Sequence, residues 1–499
     1  MKKYIAYSLI LLTATLSSCK KSFLDQTVNP NQPTVATPAL VLTGALTTTA
    51  RNINTGFTLE GYLMGYWSPA AGYAPSNSLL TYNYTTADYQ VFTPYYLNLA
   101  NYDYIIKQAS ADKSQVYYVA IAQVMEAYNF QILVDNYNNV PYSDAFQGAK
   151  GLTPKYDKGT DIYKSLIAKV DAAIAAINGA DASVAVTPKA SEDVMFKGDM
   201  TKWKKFANTL KLRLVMRQVP NVIDAAAAKT LMANNLSEGF LGAGEDATVN
   251  PGYTNIDSKQ SPFWERYGAN QAGSNAAPNI TAGDFAVKFL NNNNDPRATA
   301  FYQPLSNGSV VGNVFGTLVP VTASNIGRVD LYGSNASNNI GLLKNPSMNA
   351  VVLSAAEALF LQAEGVQRGI ITSSLSAQAL YEAGITASFV YAGLTAAQAT
   401  TYYQQATTNV GWNSSTDKIQ AIIVQKWVSL NGYGNLEAYN EYRRTGFPNP
   451  PVSIYTGVTT KVIPSRILYP SSEYSQNAVN VQAQGSINQF TSKIFWAKY

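Results

Sequence analysis

The sequence predicts a mainly α fold: about four tetratricopeptide-like helix pairs forming a scaffold, with long loops and few short strands. Two observations carry this prediction. Apolar residues recur at three- and four-residue spacings in four separate parts of the chain, and small residues recur inside those stretches. A third observation sets the loops apart: residues 239–349 are rich in Gly, Asn, Ser and Pro and hold only short β-branched runs, such as Val310 to Val319.

The N-terminus reads in three parts. Lys2 and Lys3 give a positive start, Ile5 to Leu12 an apolar run, and Leu16-Ser17-Ser18 a small-residue end before Cys19. The apolar run is far shorter than the roughly 20 residues of a spanning helix, so residues 1–18 are expected to act as a signal peptide. Cys19 is the sole cysteine of 499 residues, which leaves no partner for a disulfide. Leu16 to Cys19 resembles the lipobox of bacterial lipoproteins, with Ser18 where Gly or Ala is common. Acyl chains on Cys19 would hold the mature chain on a membrane at about 0.8 kcal/mol per buried CH₂. The alternative is a secreted protein with an incidental cysteine. Residues 19–36 read as a polar tether with turn-forming Pro and Asn, and 37–499 as a single domain.

Helices are expected in order along that domain. Val116 to Val134 is apolar nearly all round, which predicts a buried helix. A turn follows at "DNYNNVPYSDAFQG". Ile162, Leu166, Val170, Ile174 and Ile177 mark the next helix, and Trp203, Phe206, Leu210 and Leu214 the one after. Lys204, Lys205, Lys211 and Arg213 lie off that apolar stripe and are expected on a solvated face. Periodicity returns at "AVVLSAAEALFLQAEGVQRG", "SAQALYEAGITASFVYAG" and "DKIQAIIVQKWVSLNGYGNLEAYNEYRRTG". The pairs fall at roughly 88–134, 160–218, 350–392 and 416–444. Ala355, Ala356, Ala358, Ala363, Ala383 and Ala387 permit close helix approach. A generic α bundle remains the alternative.

Composition excludes several functions. Histidine is absent, so there is no Ser-His-Asp or Cys-His system and no imidazole metal site. No P-loop, GxGxxG or CxxC pattern occurs. The net charge of +5 falls to +3 once the signal leaves, too little for a protein that tracks phosphates, so no nucleic acid is expected. Among enzymes, hydrolysis of glycosides by two carboxylates passes this filter best. Glu357 with Glu364, or Glu437 with Glu441, are the tempting pairs. All four lie on expected helices, where ion pairs with neighbours such as Arg443 and Arg444 account for them.

Several phrases then line up: "PYSDAFQG", "TPKYD", "GDMTKWKKFANTLKLRLVMR", "SAAEALFLQAEGVQRG", "YEAGITAS", "QKWVSLNG", "EAYNEYRRTGFP" and "PSRILYPSSEYSQN". As an ordered set they resemble the SusD/RagB family of Bacteroidetes outer-membrane lipoproteins, in its SusD-like subgroup. The resemblance implies a non-catalytic protein that captures a glycan, or in some branches a peptide, at the cell surface. It would pass the ligand to a SusC-like TonB-dependent transporter. Trp203 and Trp427 fall inside these phrases and are expected in the core. No cofactor is expected, and a structural Ca²⁺ is left open.

A glycan face needs aromatic planes and hydrogen-bonding side chains. Ten of the 34 tyrosines lie between Tyr62 and Tyr104, and Gly65, Pro69, Gly72 and Pro75 break periodicity there, which predicts a loop. Tyr66, Trp67, Tyr73, Asn77, Tyr82 and Tyr84 are therefore the first candidate set. Rings that merely pack the loop onto the scaffold are the competing reading. Tyr89, Tyr95 and Tyr96 are assigned to packing. The second set, Trp264, Arg266, Tyr267 and Asn270, lies in "SPFWERYGANQAGSN" within the loop-rich middle. Trp412 is a distant third.

Overall fold

The computed structural model describes residues 36–70, 77–317, 328–329 and 341–499. The expected signal, Cys19, the tether up to residue 35 and Tyr73 lie outside them. The first element, α1 (Pro38–Thr55), is absent from the sequence expectation. Thr37 caps it, accepting from the Leu40 N–H at 3.3 Å, and Pro38 opens its first turn. Its threonines blur the apolar period, yet Thr47 and Thr55 donate to carbonyls four residues back, each at 2.8 Å. Leu42, Leu46 and Ile53 are thereby turned into the core.

Short elements follow: α2 (Thr58–Leu63), β1 (Trp67–Pro69) and α3 (Asn77–Thr81). The first expected pair is α4 (Phe92–Ala109) with α5 (Val116–Tyr137), and the second is α6 (Gly159–Asn178) with α7 (Met200–Gln218). Helix α5 is buried almost all round, and all five apolar markers of α6 are buried. After α8 (Ala225–Met232) comes the irregular middle, with β2 (Ala247–Val249), α9 (Pro262–Tyr267), β3 (Ile280–Ala282), α10 (Asp284–Asn292), α11 (Arg297–Phe301), β4 (Tyr302–Gln303) and β5 (Arg328–Val329). The run from Val310 forms no strand through residue 317; Asn313 makes only an isolated bridge with Gly283. Strand β6 (Ala350–Leu353) leads into the third pair, α12 (Ala355–Gln367) with α13 (Ala377–Tyr391). Helix α14 (Ala396–Tyr403) precedes the fourth, α15 (Lys418–Ser429) with α16 (Asn435–Thr445), and α17 (Ser471–Gln476) and α18 (Ala478–Gln482) close the chain.

Successive long helices pack as a row: α1 on α4, then α5, α6, α7, α12 and α13. Among the described residues the strands form three antiparallel pairs, β1 with β3, β2 with β6 and β4 with β5. Small residues let α12 and α13 approach as expected. A Cβ on Gly384 would lie 2.9 Å from the Phe360 ring, and Ala356 and Ala363 are buried beside it. Trp203 and Trp427 are both in the core. Arg297 ties the middle segment to the late helices. It pairs with Asp295 at 2.7 Å, donates to Ser388 and Gln425 at 3.0 Å each, and stacks on Phe389 and Tyr402.

The expected solvated basic face of α7 is overturned for two of its four residues. Lys204 and Lys205 stay partly exposed, paired with Glu238 and Glu245. Lys211 is fully buried and bonds Asp171 at 2.7 Å, and Arg213 is buried against Glu357 at 2.9 Å. The cause is position: α7 lies between α6 and α12, so both of its faces are covered. Its last turn adds Arg217, which pairs with Glu437 and lies 3.9 Å from Asp135. The network continues through Lys426–Glu441 at 2.8 Å and Arg444–Glu364 at 2.7 Å. Burial pushes the Glu437, Glu441 and Glu364 carboxyls up, but the adjoining cations outweigh it and hold all three below the usual range. The pairs that tempt a glycosidase reading thus serve as ion-pair partners. Arg443 departs from that expectation: it bonds Asn440 and the Ser465 carbonyl and stacks on Tyr439 and Trp496.

Candidate functional site

The two candidate stretches, some 200 residues apart in sequence, meet in space. Strand β1 pairs with β3 so that Trp67 lies opposite Ala282, and the Ala70 N–H donates to the Asn279 carbonyl at 2.8 Å. Trp67 and Tyr267 bring their rings to 4.9 Å. From there the rings run on as a seam: Tyr62 lies 6.4 Å from Trp67, Phe315 lies 6.2 Å from Tyr62, and Tyr82 lies 6.1 Å from Phe315.

This seam is interior, as the packing alternative requires of its rings. Trp67 and Tyr66 are 0% exposed, Tyr82 is 1%, Tyr267 is 2%, Trp264 is 4% and Tyr84 is 6%. Trp67 lies on a strand where breaker residues predict a loop, and its indole covers Gly61 so closely that a Cβ there would sit 2.4 Å from it. Tyr66 stacks on Trp427 at 5.4 Å and donates to its carbonyl. Tyr82 accepts from the Ser453 N–H at 2.7 Å, Trp264 donates to Ala269 at 2.9 Å, and Tyr84 meets Tyr89 at 5.1 Å. The Tyr267 and Thr58 hydroxyls share a 2.6 Å bond, and burial pushes the Tyr267 phenol up to about 12. Such rings hold loops in place and present no free face to a sugar.

Other members are less buried. Arg266 is half-buried with its guanidinium 5.3 Å from the Tyr267 ring centre. Asn270 is exposed and its Oδ1 accepts from the Ser274 N–H at 2.8 Å, which shapes the turn that carries it. Asn77 opens α3, but its side chain lies outside the described residues, as does Tyr73. Trp412 is half-buried, 5.3 Å from Tyr381, with the Lys418 ammonium over its ring. Sequence reasoning missed the loop beside Asn270, where Asn255, Asp257, Lys259 and Gln271 are exposed. Asp257 accepts from the Gln271 N–H at 2.8 Å and fastens the two arms of this surface together. The turn residues of "NPGYTNIDSKQ" are its only sequence signal.

This surface can donate and accept hydrogen bonds to neutral hydroxyls. Among the described residues, no group of three or more His, Cys, Asp or Glu side chains could hold a metal ion, and no helix is long and apolar enough to cross a membrane.

Residues 30–470 match the SusD-like family described as "Starch-binding associating with outer membrane". No curated protein matches the chain. Among solved structures, a chitin-binding protein is 24% identical with a TM-score of 0.73, covering 92% of this chain and 100% of its own. A chitin-binding SusD homolog from Flavobacterium johnsoniae is 22% identical at a TM-score of 0.72, with 91% and 98% covered. A SusD-like protein from Bacteroides thetaiotaomicron gives 21% and 0.71, with 92% and 99% covered. These likenesses establish the shared fold, and with the family match over most of its length the chain belongs to the SusD-like family.

Proposed function

We propose that the protein is a non-catalytic, lipid-anchored glycan-binding protein of the cell surface. It captures oligo- or polysaccharide and passes it to a SusC-like TonB-dependent transporter. The observation that carries this reading is the match of residues 30–470 to a family described as starch-binding and associated with the outer membrane. The polar loop surface bearing Arg266 and Asn270 is the proposed contact face. The buried ion-pair network supports a binding role over a hydrolytic one, because Glu357, Glu364, Glu437 and Glu441 are 5% exposed or less and engaged by cations. A peptide ligand is the second reading, and the low charge of the chain, 13% of residues, favours sugar.

Calorimetric titration of the mature chain with malto- and chitooligosaccharide series tests the reading. At least one series should bind, and the Arg266→Ala/Asn270→Ala variant should bind it at least tenfold more weakly at unchanged melting temperature. Chromatography of the glycan after incubation should show no shortened products. Binding of neither series would remove the glycan reading, and shortened products would restore a hydrolase. In cells, Cys19→Ser should be lost from the membrane fraction, whereas normal retention would refute the anchor.

A further inference from the structure

A cleft that neither Arg266 nor Asn270 lines has two lobes. The first has a volume of about 640 Å³ and the second about 470 Å³, and both are lined by Gly244, Asp246, Lys344 and Tyr391. Helix α13 supplies the apolar wall of the first lobe. Ala379, Ala383 and Ala387 follow one another at four-residue spacing with Val390 beyond them, so one helical face looks into the space. Glu382 and Thr386 stand on the same face. The second lobe is polar, with Thr248, Asn345 and Asn349. It adjoins the loop surface: Asn250 donates to Asn349 at 2.8 Å, and the Ser261 N–H donates to the Pro346 carbonyl at 2.7 Å.

Two opposite charges, Lys344 and Asp246, stand at the waist of the cleft. Cations such as Lys211, Arg213, Arg297, Lys426 and Arg444 are buried against carboxylates, but among the described residues no carboxylate lies within 4 Å of the Lys344 ammonium. It sits instead 4.3 Å from the centre of the Tyr391 ring. Asp246 accepts from the Ala355 N–H at 2.7 Å and forms no ion pair among the described residues either. Burial lowers the Lys344 pKa and raises that of Asp246, and both residues remain half-exposed in the cleft. An anionic ligand would meet Asp246 and Glu382, and a cationic one would meet Lys344. A hydroxyl suits both, because it donates to a carboxylate and accepts from an ammonium. The alanine wall calls in addition for an apolar appendage that a plain hexose lacks. A methyl carried on an amide fits, since the amide can bond Glu382 and Thr386 while the methyl covers the Cβ atoms.

We propose that this cleft is a sugar subsite for an N-acetylhexosamine unit, with hydroxyls held at Lys344 and Asp246 and the acetamido methyl on the alanine face of α13. The proposal rests on the glycan reading above and deepens it. N,N′-diacetylchitobiose and cellobiose share a linkage and differ in the acetamido group, so the pair isolates that contact. Titrated into the mature chain, diacetylchitobiose should bind at least tenfold more tightly than cellobiose. Ala383→Leu, which fills the lobe, should abolish the preference, and Lys344→Met should weaken both sugars by tenfold or more. Equal affinities for the two disaccharides, or an Ala383→Leu variant with the wild-type preference, would overturn the subsite. A long oligosaccharide titrated in parallel separates the two claims: if it binds the wild type while the disaccharides do not, the subsite falls and the capture function stands.

Discussion

Glu437→Ala is expected to lower the unfolding free energy by about 3–5 kcal/mol, read as a shift of the urea midpoint. Glu437 is the junction of the buried network. It pairs with Arg217, lies 3.8 Å from Arg213 and accepts from Gln131 at 3.3 Å. Removing it leaves Arg213 with Glu357, but among the described residues leaves Arg217 with only the Asp135 carboxylate, 3.9 Å away and already bonded by Tyr163, Trp496, Gln131 and Asn440. A guanidinium that stays charged cannot escape by losing its proton, so the full desolvation of an unmatched cation falls on the folded state. Arg217→Met in the Glu437→Ala background should recover part of the loss, because it removes the stranded charge. The exposed pair of Lys164 with Asp161 at 3.7 Å is the control: Lys164→Ala should change stability by less than about 1 kcal/mol. A Glu437→Ala loss no larger than that of Lys164→Ala would show that the network is not an energetic unit.

The same network marks the limit of what the sequence discloses. The four helix pairs are legible because their signal is local: Ile162, Leu166, Val170, Ile174 and Ile177 declare a face without reference to the rest of the chain. Lys211 and Arg213 look like a solvated face by that logic. The acid that draws Arg213 inward is Glu357, 144 positions away, and no periodicity reports it. Trp67 fails for a related reason. Gly65 and Pro69 announce a break in helix, which is correct, but the strand that replaces it owes its existence to Ile280–Ala282 far along the chain. Helix α1 is missed for a local reason, since threonine dilutes its stripe, although Thr37 and Pro38 form a start signal that could have found it. For the candidate site, the two stretches that composition singles out converge in space. Which rings face inward is decided by tertiary packing, so the tyrosine enrichment reports a buried seam while the polar turn around Asn270 stays exposed.

Glu60→Gln is expected to stabilise the protein by about 3 kcal/mol above pH 7 and to make no difference below about pH 4.5. Glu60 lies on α2 at 4% exposure, and its Oε2 has no hydrogen-bond partner among the described residues. Its charge acts on Tyr84, Tyr95, Tyr137, Tyr267 and Tyr439, whose phenols it helps to raise. Burial raises its carboxyl from 4.5 to about 7, against the smaller lowering effects of its own backbone and Arg443. A carboxyl whose folded pKa exceeds its unfolded one favours folding only while the unfolded chain is also protonated. Below pH 4.5 both states carry the proton and the wild type keeps its full stability. As pH rises from 4.5 to 7 the unfolded chain releases its proton while the folded chain holds on, so stability declines across that window and stays low beyond it. Glutamine keeps the shape without the titration, and its melting temperature should therefore part from that of the wild type only above pH 4.5. The raised carboxyls of Asp135 and Glu357 occur in both proteins and cancel in the difference. Melting curves at pH 4, 6 and 8 make the comparison, and a gap between the two proteins that does not widen with pH would mean that Glu60 is ionised in the folded core.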